Sequence, residues 1–331
     1  MKNRPHQNRR PAVALLLVLG MLAMLGVMVT QFVAGAEQRL TWEAQRAEQG
    51  LLRRNAFSAL ETSLSVLGAF QRIDGSLYGP GQGWGDPLTF AGFVPEGGVE
   101  VSVELRDESG FYGINSMDSF SLRRFFQDLG IAESRARDLS DCLQDWTDSN
   151  TTVRMNGAEE ESYQNGIAPP NRALRSVSEL RLIRGFSEIF FSGEGGEGND
   201  LWRLLRGSVS LLGTASNPNI NTAPREVLEV LATRYNFDPD SLIAARSGEA
   251  NISGGSIVFR NAGDLGRNSF PAELGNAVSF TCANLRVIVR ARKADASLTI
   301  DTLLSTTGGT QARNNQFPFT ITQQRVNALL D

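Results

Sequence analysis

Near the start of the chain lies a long run of apolar positions that carries no charge. From Ala12 to Ala36 there are 25 residues, and none of them is charged. At a rise of about 1.5 Å per residue, a helix of this length crosses a hydrocarbon core of about 30 Å. The pattern therefore predicts that residues 13–36 form a membrane-spanning helix.

The apolar positions continue beyond this run, but they are now separated by polar residues. Residues 37–73 contain no proline, and their apolar positions recur at spacings of three and four or sums of these, which is typical of an amphipathic helix. We therefore predict that one helix leaves the membrane and continues as a stalk over residues 37–73. Its apolar positions are Leu40, Ala44, Ala47, Leu51, Ala59, Leu60, Leu64 and Leu67.

A cleaved secretory signal is the alternative interpretation of this region. The small residues of Ala34-Gly35-Ala36 match the site of a signal peptidase. In such a signal the apolar run usually has about 7–15 residues, and the run here is longer. The helical pattern also continues after it. The continuous helix is the favoured interpretation.

The residues before the helix are basic. Lys2, Arg4, Arg9 and Arg10 occur there without any acid, although the whole chain has a net charge of −4 and a pI near 5.3. Positive charge beside a membrane span stays on the cytoplasmic side. We predict a single-pass protein of the bacterial inner membrane, with a cytoplasmic N-terminus and a periplasmic head.

The remainder predicts an α+β fold. Residues 74–98, rich in Gly, Pro and aromatic residues, are expected to form a loop, and residues 99–105, 284–292 and 296–304 alternate as half-buried strands do. We expect the long helix to pack on a small antiparallel sheet that is interrupted by an inserted all-helical domain. The predicted parts are a head of residues 74–117 and 256–310, the inserted domain at 118–255, and a tail at 311–331.

The predicted helices and joints of the inserted domain resemble helix-hairpin-helix or SAM-like units. Helices are predicted at Ser121–Leu129, Ala132–Trp146, Ser176–Ile183, Asn199–Leu212 and Arg225–Arg234. Glycine joints at Gly130 and Gly185 separate short helices, and such units often bind the DNA backbone. Arg181 and Arg184 flank the second joint, but Asp128 and Glu133 beside the first would repel phosphate. With an acidic pI, a packing module is favoured over a nucleic-acid-binding one.

One segment has the composition of a metal site. Asp145, Asp148, Glu159, Glu160 and Glu161 lie within 17 residues, and oxygen ligands without His or Cys favour calcium or magnesium. From composition alone, a solvated acidic loop is the favoured alternative.

Histidine and cysteine limit the remaining chemistry. The only histidine is His6 in the basic leader, and no nucleophile motif lies near the acidic segment, so we do not expect an enzyme. For Cys142 and Cys282, a single disulfide and two isolated buried thiols both fit the sequence.

The order of short motifs resembles the protein K family of the type II secretion system, the large minor pseudopilins. The resemblance runs from about Ala12 to about Gly309. Its strongest pieces are the motifs at 107–110 with 114–115, 145–148, 156–159, 171–180, 184–186 and 220–223.

The resemblance implies several properties. A prepilin peptidase would cut between Ala12 and Val13, removing a leader of residues 1–12, although Ala12 replaces the usual Gly. Leu17 stands where most pseudopilins carry a Glu, and the K family also lacks that Glu. The expected partners are the minor pseudopilins of the I and J type, and the expected role is to cap or initiate the pseudopilus tip during protein export.

The family also binds calcium near the acidic segment. The resemblance therefore favours structural calcium there over a solvated loop. The other functions that remain open are the tip subunit of a type IV pilus-related filament and an exported helix-hairpin-helix protein that binds DNA.

Overall fold

The computed structural model describes residues 10–163, 166–193, 196–213, 216–249, 255–306 and 318–330. The basic residues before Arg10 lie outside this range, as does the first part of the predicted tail. The predicted α+β architecture is confirmed: a long helix, a four-stranded antiparallel sheet and a block of short helices.

Helix α1 runs without interruption over Arg10–Asp74, which is 65 residues. The predicted continuity of the helix over residues 13–73 is confirmed. In the described part of the chain, α1 is the one helix long and apolar enough to cross a membrane. Its apolar side chains from Leu15 to Val33 are exposed, whereas Ala56, Ala59 and Leu67 near its other end are fully buried.

The sheet packs against the part of α1 that contains the buried residues Ala56, Ala59 and Leu67. Its strands are β1 (Glu100–Asp107), β4 (Asn284–Lys293), β5 (Ala296–Ser305) and β6 (Thr320–Leu330), in the order β1-β4-β5-β6, and all neighbours are antiparallel. Alternate residues of β4 and β5 are buried, as the period of two predicts. The first core, which we call the head core, thus joins α1 to one face of the sheet.

The second core, the helical core, is built from short helices. These are α3 (Ser119–Asp128), α4 (Glu133–Thr147), α5 (Phe186–Phe190), α6 (Asp200–Ser208), α7 (Arg225–Tyr235), α8 (Pro239–Ser247) and α9 (Ala262–Arg267). Phe126, Phe186 and Phe190 are fully buried at its centre, with ring centroids 5.6–5.8 Å apart. The glycine joints have the positive φ angles that glycine adopts without strain, 86° at Gly130 and 85° at Gly185.

Three parts of the fold differ from the sequence expectation. The helix predicted at Asn199–Leu212 ends at Ser208, because Val209–Ser210 form strand β3, which pairs in parallel with β2 (Tyr112–Gly113). The segment predicted as Ser176–Ile183 is a 3₁₀ helix, Val177–Leu182. The predicted tail contains β6, which pairs with β5 along its length.

The boundaries of the head also differ from the expectation. Phe259, Leu265, Leu274 and Val278 are buried in the helical core, although we expected residues from 256 onward to belong to the head. The 3₁₀ helix Ala272–Asn276 contributes to the same core. The predicted loop at 74–98 contains a 3₁₀ turn at Pro80–Gln82 and helix α2 at Pro87–Ala91. Proline at the start of each allows the chain to enter helical geometry there.

Candidate functional site

The acidic segment forms a loop folded against the end of α4. Asp145 lies in the last turn of that helix and is completely buried. Its Oδ2 accepts a hydrogen bond of 3.1 Å from the backbone N–H of Arg154, which turns the loop back onto the helix. At Gly157 the backbone comes so close that a Cβ there would lie 1.8 Å from Asp145 Oδ2. The loop therefore needs glycine at this position.

The guanidinium of Arg154 lies between two of the predicted ligands. Its Nη1 donates to Asp145 Oδ1 at 2.6 Å and also to Asp148 Oδ2. The Arg154 side chain is one third exposed, whereas Asp145 is inaccessible. The guanidinium of Arg154 thus bridges these two carboxylates from a side chain that is partly exposed to solvent.

Glu159 is the third predicted ligand close to this pair. It is only 7% exposed, and its Oε1 has no hydrogen-bond partner in the described structure. Burial, followed by the negative charges of Asp145 and Asp148, raises the pKa of Glu159 above its usual range. This part of the loop thus brings together three carboxylates, one of which has an unsatisfied buried oxygen.

The structure does not bring the other two predicted ligands to this cluster. Glu160 and Glu161 lie in the 3₁₀ helix Glu160–Ser162, and both are exposed. Within the described ranges, no group of three His, Cys, Asp or Glu residues is already arranged to hold a metal ion. The guanidinium of Arg154 pairs instead with both Asp145 and Asp148.

The second glycine joint holds the acidic loop in place. Arg184 Nη2 donates to the carbonyl oxygens of Asn156 and Gly157 at 3.0 and 2.6 Å. Arg181 stacks on the ring of Phe191, with its Cζ 5.0 Å from the centroid. Both arginines that flank the joint are therefore engaged by the protein itself, which argues against a role in holding DNA phosphates.

A polar network joins the two cores, although no local pattern in the sequence predicts a site there. Asp107, at the end of β1, accepts hydrogen bonds from Ser109 N–H at 3.0 Å, Asn219 Nδ2 at 2.8 Å and Thr222 Oγ1 at 2.6 Å. Asn219 Nδ2 also donates to Tyr78 O at 2.8 Å. Burial raises the pKa of Asp107, although these hydrogen bonds act in the opposite direction. The motifs at 107–110 and 220–223 thus fix the helical core onto the sheet.

The motifs at 114–115 and 171–180 also meet in the structure. Asn115 Oδ1 accepts from the backbone N–H of Leu174 at 2.9 Å, and its Nδ2 donates to Leu174 O at 3.1 Å. These two bonds tie the chain after β2 to the segment before the 3₁₀ helix Val177–Leu182. The motifs that carry the resemblance are therefore mostly structural contacts between distant segments.

The two cysteines do not form a disulfide. Cys142 is buried in the helical core and Cys282 in the head core, and both are free thiols. Cys142 Sγ donates to Asn156 O at 3.4 Å, and Cys282 Sγ donates to Tyr78 O at 3.4 Å. Of the two interpretations that the sequence allowed, the isolated buried thiols are correct, because each side chain faces a different core.

The positions implied for processing lie in the first part of α1. Ala12 and Val13 are helical, and their side chains are outside the described part of the chain. Leu17 is 63% exposed and belongs to the exposed apolar surface of the first part of α1. The structure thus leaves the predicted cleavage between Ala12 and Val13 as a prediction.

Comparison with known proteins bears on the identity of the chain. A family model described as type II secretion system (T2SS), protein K, matches residues 107–192, which include the acidic loop and both glycine joints. The type II secretion system protein K of Aeromonas hydrophila is 26% identical over 257 residues, covering 70% of this chain and 72% of that protein. The protein of the same name from Klebsiella pneumoniae is 30% identical over 115 residues, covering 34% of this chain and 32% of that protein.

The fold also has a solved counterpart. A chain in the crystal structure of the GspK-GspI-GspJ complex from the type 2 secretion system of enterotoxigenic Escherichia coli superimposes with a TM-score of 0.55. The match covers 86% of this chain and 98% of that chain at 17% identity, so it shows a common fold. The family match over residues 107–192, the similarity to curated relatives over most of the chain and the shared fold agree, and together they support the protein K family of the type II secretion system.

Proposed function

We propose that this chain is a minor pseudopilin that caps or initiates the tip of a pseudopilus, the short filament that drives protein export across the outer membrane. The observation that carries the proposal is the single helix α1, which is apolar and exposed over its first part and buried in the head core over its last. Such a helix anchors a subunit in the membrane and then serves for filament packing. The helical core adds bulk to the head, which would hinder the stacking of another subunit above it.

Leu17 supports a position at the tip. In a pilus-like filament, a Glu at this position is thought to offset the charged N-terminus of a neighbouring subunit, because an unpaired charge in lipid is costly. A subunit with no neighbour above it does not need that Glu. An apolar Leu17 on the exposed surface of α1 fits this requirement.

The partners follow from the family. The solved counterpart is a complex of GspK with GspI and GspJ, and we infer that this chain associates with minor pseudopilins of the I and J type. We further propose that a prepilin peptidase cuts between Ala12 and Val13, and that the head lies in the periplasm of a single-pass inner-membrane protein. The proposal includes no enzymatic activity, since the only histidine is His6.

Localisation on isolated filaments tests the proposed role. The epitope-tagged chain would be expressed in a host whose own protein K gene is deleted, together with the remaining pseudopilins. We expect the tag at one end of each filament and restored export. Leu25→Arg, which puts a charge in the middle of the span, should prevent incorporation, whereas Leu25→Ala should not. A tag distributed along the filament, or export that does not depend on the chain, would refute the proposal.

We also propose that the acidic loop binds structural calcium through Asp145, Asp148 and Glu159. The support is the unsatisfied, buried Oε1 of Glu159 beside two carboxylates that already hold a cationic group. Bound calcium would neutralise this cluster and take the place of the Arg154 guanidinium, and Arg154 would move toward solvent. Magnesium fits the site less well, because it demands a strict octahedral geometry.

Thermal unfolding of the full chain in detergent tests the calcium proposal. Calcium should raise the melting temperature, and chelator should reverse the rise. Glu159→Gln should reduce the response, while Glu160→Gln is the matched control on an exposed neighbour and should keep it. A melting temperature that does not respond to calcium, or an equal loss in both variants, would contradict the proposed site.

A further inference from the structure

A groove lies at the junction of the two cores, and neither the proposed tip function nor the calcium site uses it. Its volume is about 650 Å³, within the range of roughly 300–1,000 Å³ that ligand sites usually have. Leu105 and Phe111 line it from the head, and Ile243 and Pro224 line it from α8 and the start of α7. The groove thus has apolar side chains on both sides, and charged residues lie among them.

The distinctive side chain of the groove is Arg246, in the last turn of α8. It is partly buried, and its Nη1 donates to the carbonyl oxygen of Ile220 at 3.1 Å. In the described ranges no carboxylate lies within ion-pair distance of it. Burial lowers its pKa to about 10, so it is still charged at neutral pH. A guanidinium has five N–H donors, and the bond to Ile220 uses only one of them.

Two further arginines line the same groove. Arg206, in the last turn of α6, is exposed and makes no ion pair with any described residue. Arg106 is held by Glu108 at 3.4 Å and by the ring of Phe111, with its Cζ 4.5 Å from the centroid. These contacts hold Arg106 in place at the edge of the groove, whereas the guanidinium of Arg206 is available to contact a ligand.

The acids of the groove do not neutralise these arginines. Asp107 is buried and satisfied by its own hydrogen bonds. Glu226 also lines the groove, but its carboxylate lies 3.9 Å from the guanidinium of Arg203, a residue that does not line it. The groove is thus lined by three arginines and two acids, and it keeps a net positive charge in a protein whose net charge is negative.

We propose that this groove binds an acidic peptide segment of a partner protein. A carboxylate of the segment pairs with Arg246 and Arg206, and an apolar side chain beside it packs on Ile243 and Phe111. The charge of the groove selects the carboxylate, since paired hydrogen bonds between guanidinium and carboxylate are both strong and directional. The apolar side chains beside the arginines, and a volume of about 650 Å³, favour a peptide over a small free anion.

Fluorescence anisotropy with the full chain in detergent tests this proposal. The probe is a labelled ten-residue peptide that alternates Glu and Phe, and the reference probe has Gln in place of Glu. We expect saturable binding of the Glu peptide at about 50 mM salt, weakened by about 0.5 M salt, and little binding of the Gln peptide. Arg246→Gln and Arg206→Gln should each weaken binding about tenfold, the loss typical of one charge-assisted hydrogen bond.

The matched control is Arg135→Gln, which removes an equal charge from an exposed position on α4 outside the groove. It should leave the affinity unchanged. Arg206 is exposed, so its variant tests the site even if Arg246→Gln impairs folding. Equal effects of the Arg206 and Arg135 variants, equal binding of the Gln peptide, or complete displacement of the peptide by millimolar citrate would each overturn the proposal.

Discussion

Gly157→Ala tests the geometry of the acidic loop most sharply, because it adds a single carbon at a defined place. That carbon would lie 1.8 Å from Asp145 Oδ2, whereas real Cβ atoms essentially never come within 3.0 Å of such a neighbour. The loop and the carboxylate must therefore separate by more than 1 Å. The φ angle of Gly157 is not among the positive ones, so the effect comes from this contact and not from backbone strain.

The cost can be worked from the contacts that hold the two sides. Asp145 is bound to the Arg154 N–H at 3.1 Å, and the loop is bound by Arg184 to Gly157 O at 2.6 Å. The separation breaks one of these bonds. Losing a hydrogen bond to a charged group costs about 1.5–3 kcal/mol. For a unit of this size, that lowers the melting temperature by about 3–12 °C.

The assay is thermal unfolding of the full chain in detergent, with and without calcium. Gly266→Ala is the matched control, since Gly266 lies in α9 and nothing approaches its Cβ position within 4 Å. We expect the control to melt at or slightly above the temperature of the parent, because alanine favours a helix. If Gly157→Ala melts within about 1 °C of the parent, the close approach of the loop to Asp145 is refuted.

Four further predictions follow from the structure. Without calcium, Glu159→Gln should raise the melting temperature above pH 4.5, and the gain should vanish below that pH. The pKa of Glu159 is raised in the folded protein, so the protonated form, which favours folding, is lost as the pH rises. A gain in melting temperature that appears only in acid would contradict this prediction. Asn219→Ala should cost about 1.5–3 kcal/mol in urea unfolding, because it removes one of the donors to the buried carboxylate of Asp107; a cost below about 0.5 kcal/mol would disprove the role of the network. Leu67→Ala should cost about 2–5 kcal/mol in the head core, while Phe32→Ala on the exposed span should leave unfolding unchanged, and equal effects would show that α1 is not divided in this way. Reductant should not shift the melting temperature, and thiol reagents should label neither cysteine before unfolding, since both thiols are buried and burial raises the pKa of each; a shift would indicate a disulfide.

The sequence predicts the elements whose pattern is local. The length of α1 follows from a run without proline and with helical spacing, and β4 and β5 follow from strict alternation. In these segments the spacing of apolar residues over a few neighbouring positions is enough to indicate the element. The same holds for the glycine joints, where a positive φ requires a residue without Cβ.

The missed elements depend on distant partners. Strand β3 has only two residues, and its form is fixed by pairing with Tyr112–Gly113 about a hundred positions earlier. Strand β6 is rich in polar residues such as Gln323 and Gln324, and most of its described side chains are exposed, so it has no clear alternation. Phe259 and Leu265 follow the predicted end of the inserted domain, yet they complete the helical core. A single sequence gives no signal for such tertiary pairing.

The candidate site shows the same division. The sequence identifies the carboxylates near α4, but it does not show that Arg154 reaches both Asp145 and Asp148, or that Glu160 faces solvent. The network of Asp107 with Asn219 joins residues 112 positions apart. Its members could be singled out only because their motifs belong to the resemblance, since no local pattern marks a buried polar contact.

The central claim is that the apolar helix remains part of the mature protein as an assembly element, and mass spectrometry of the mature N-terminus tests it directly. The chain would be expressed in a host that has the secretion system, and the protein recovered from its membranes. We predict a mature chain that starts at Val13 and retains all of the span in α1. A mature chain that starts at Glu37, directly after Ala34-Gly35-Ala36, would mean that the span is a cleaved signal and would contradict the account.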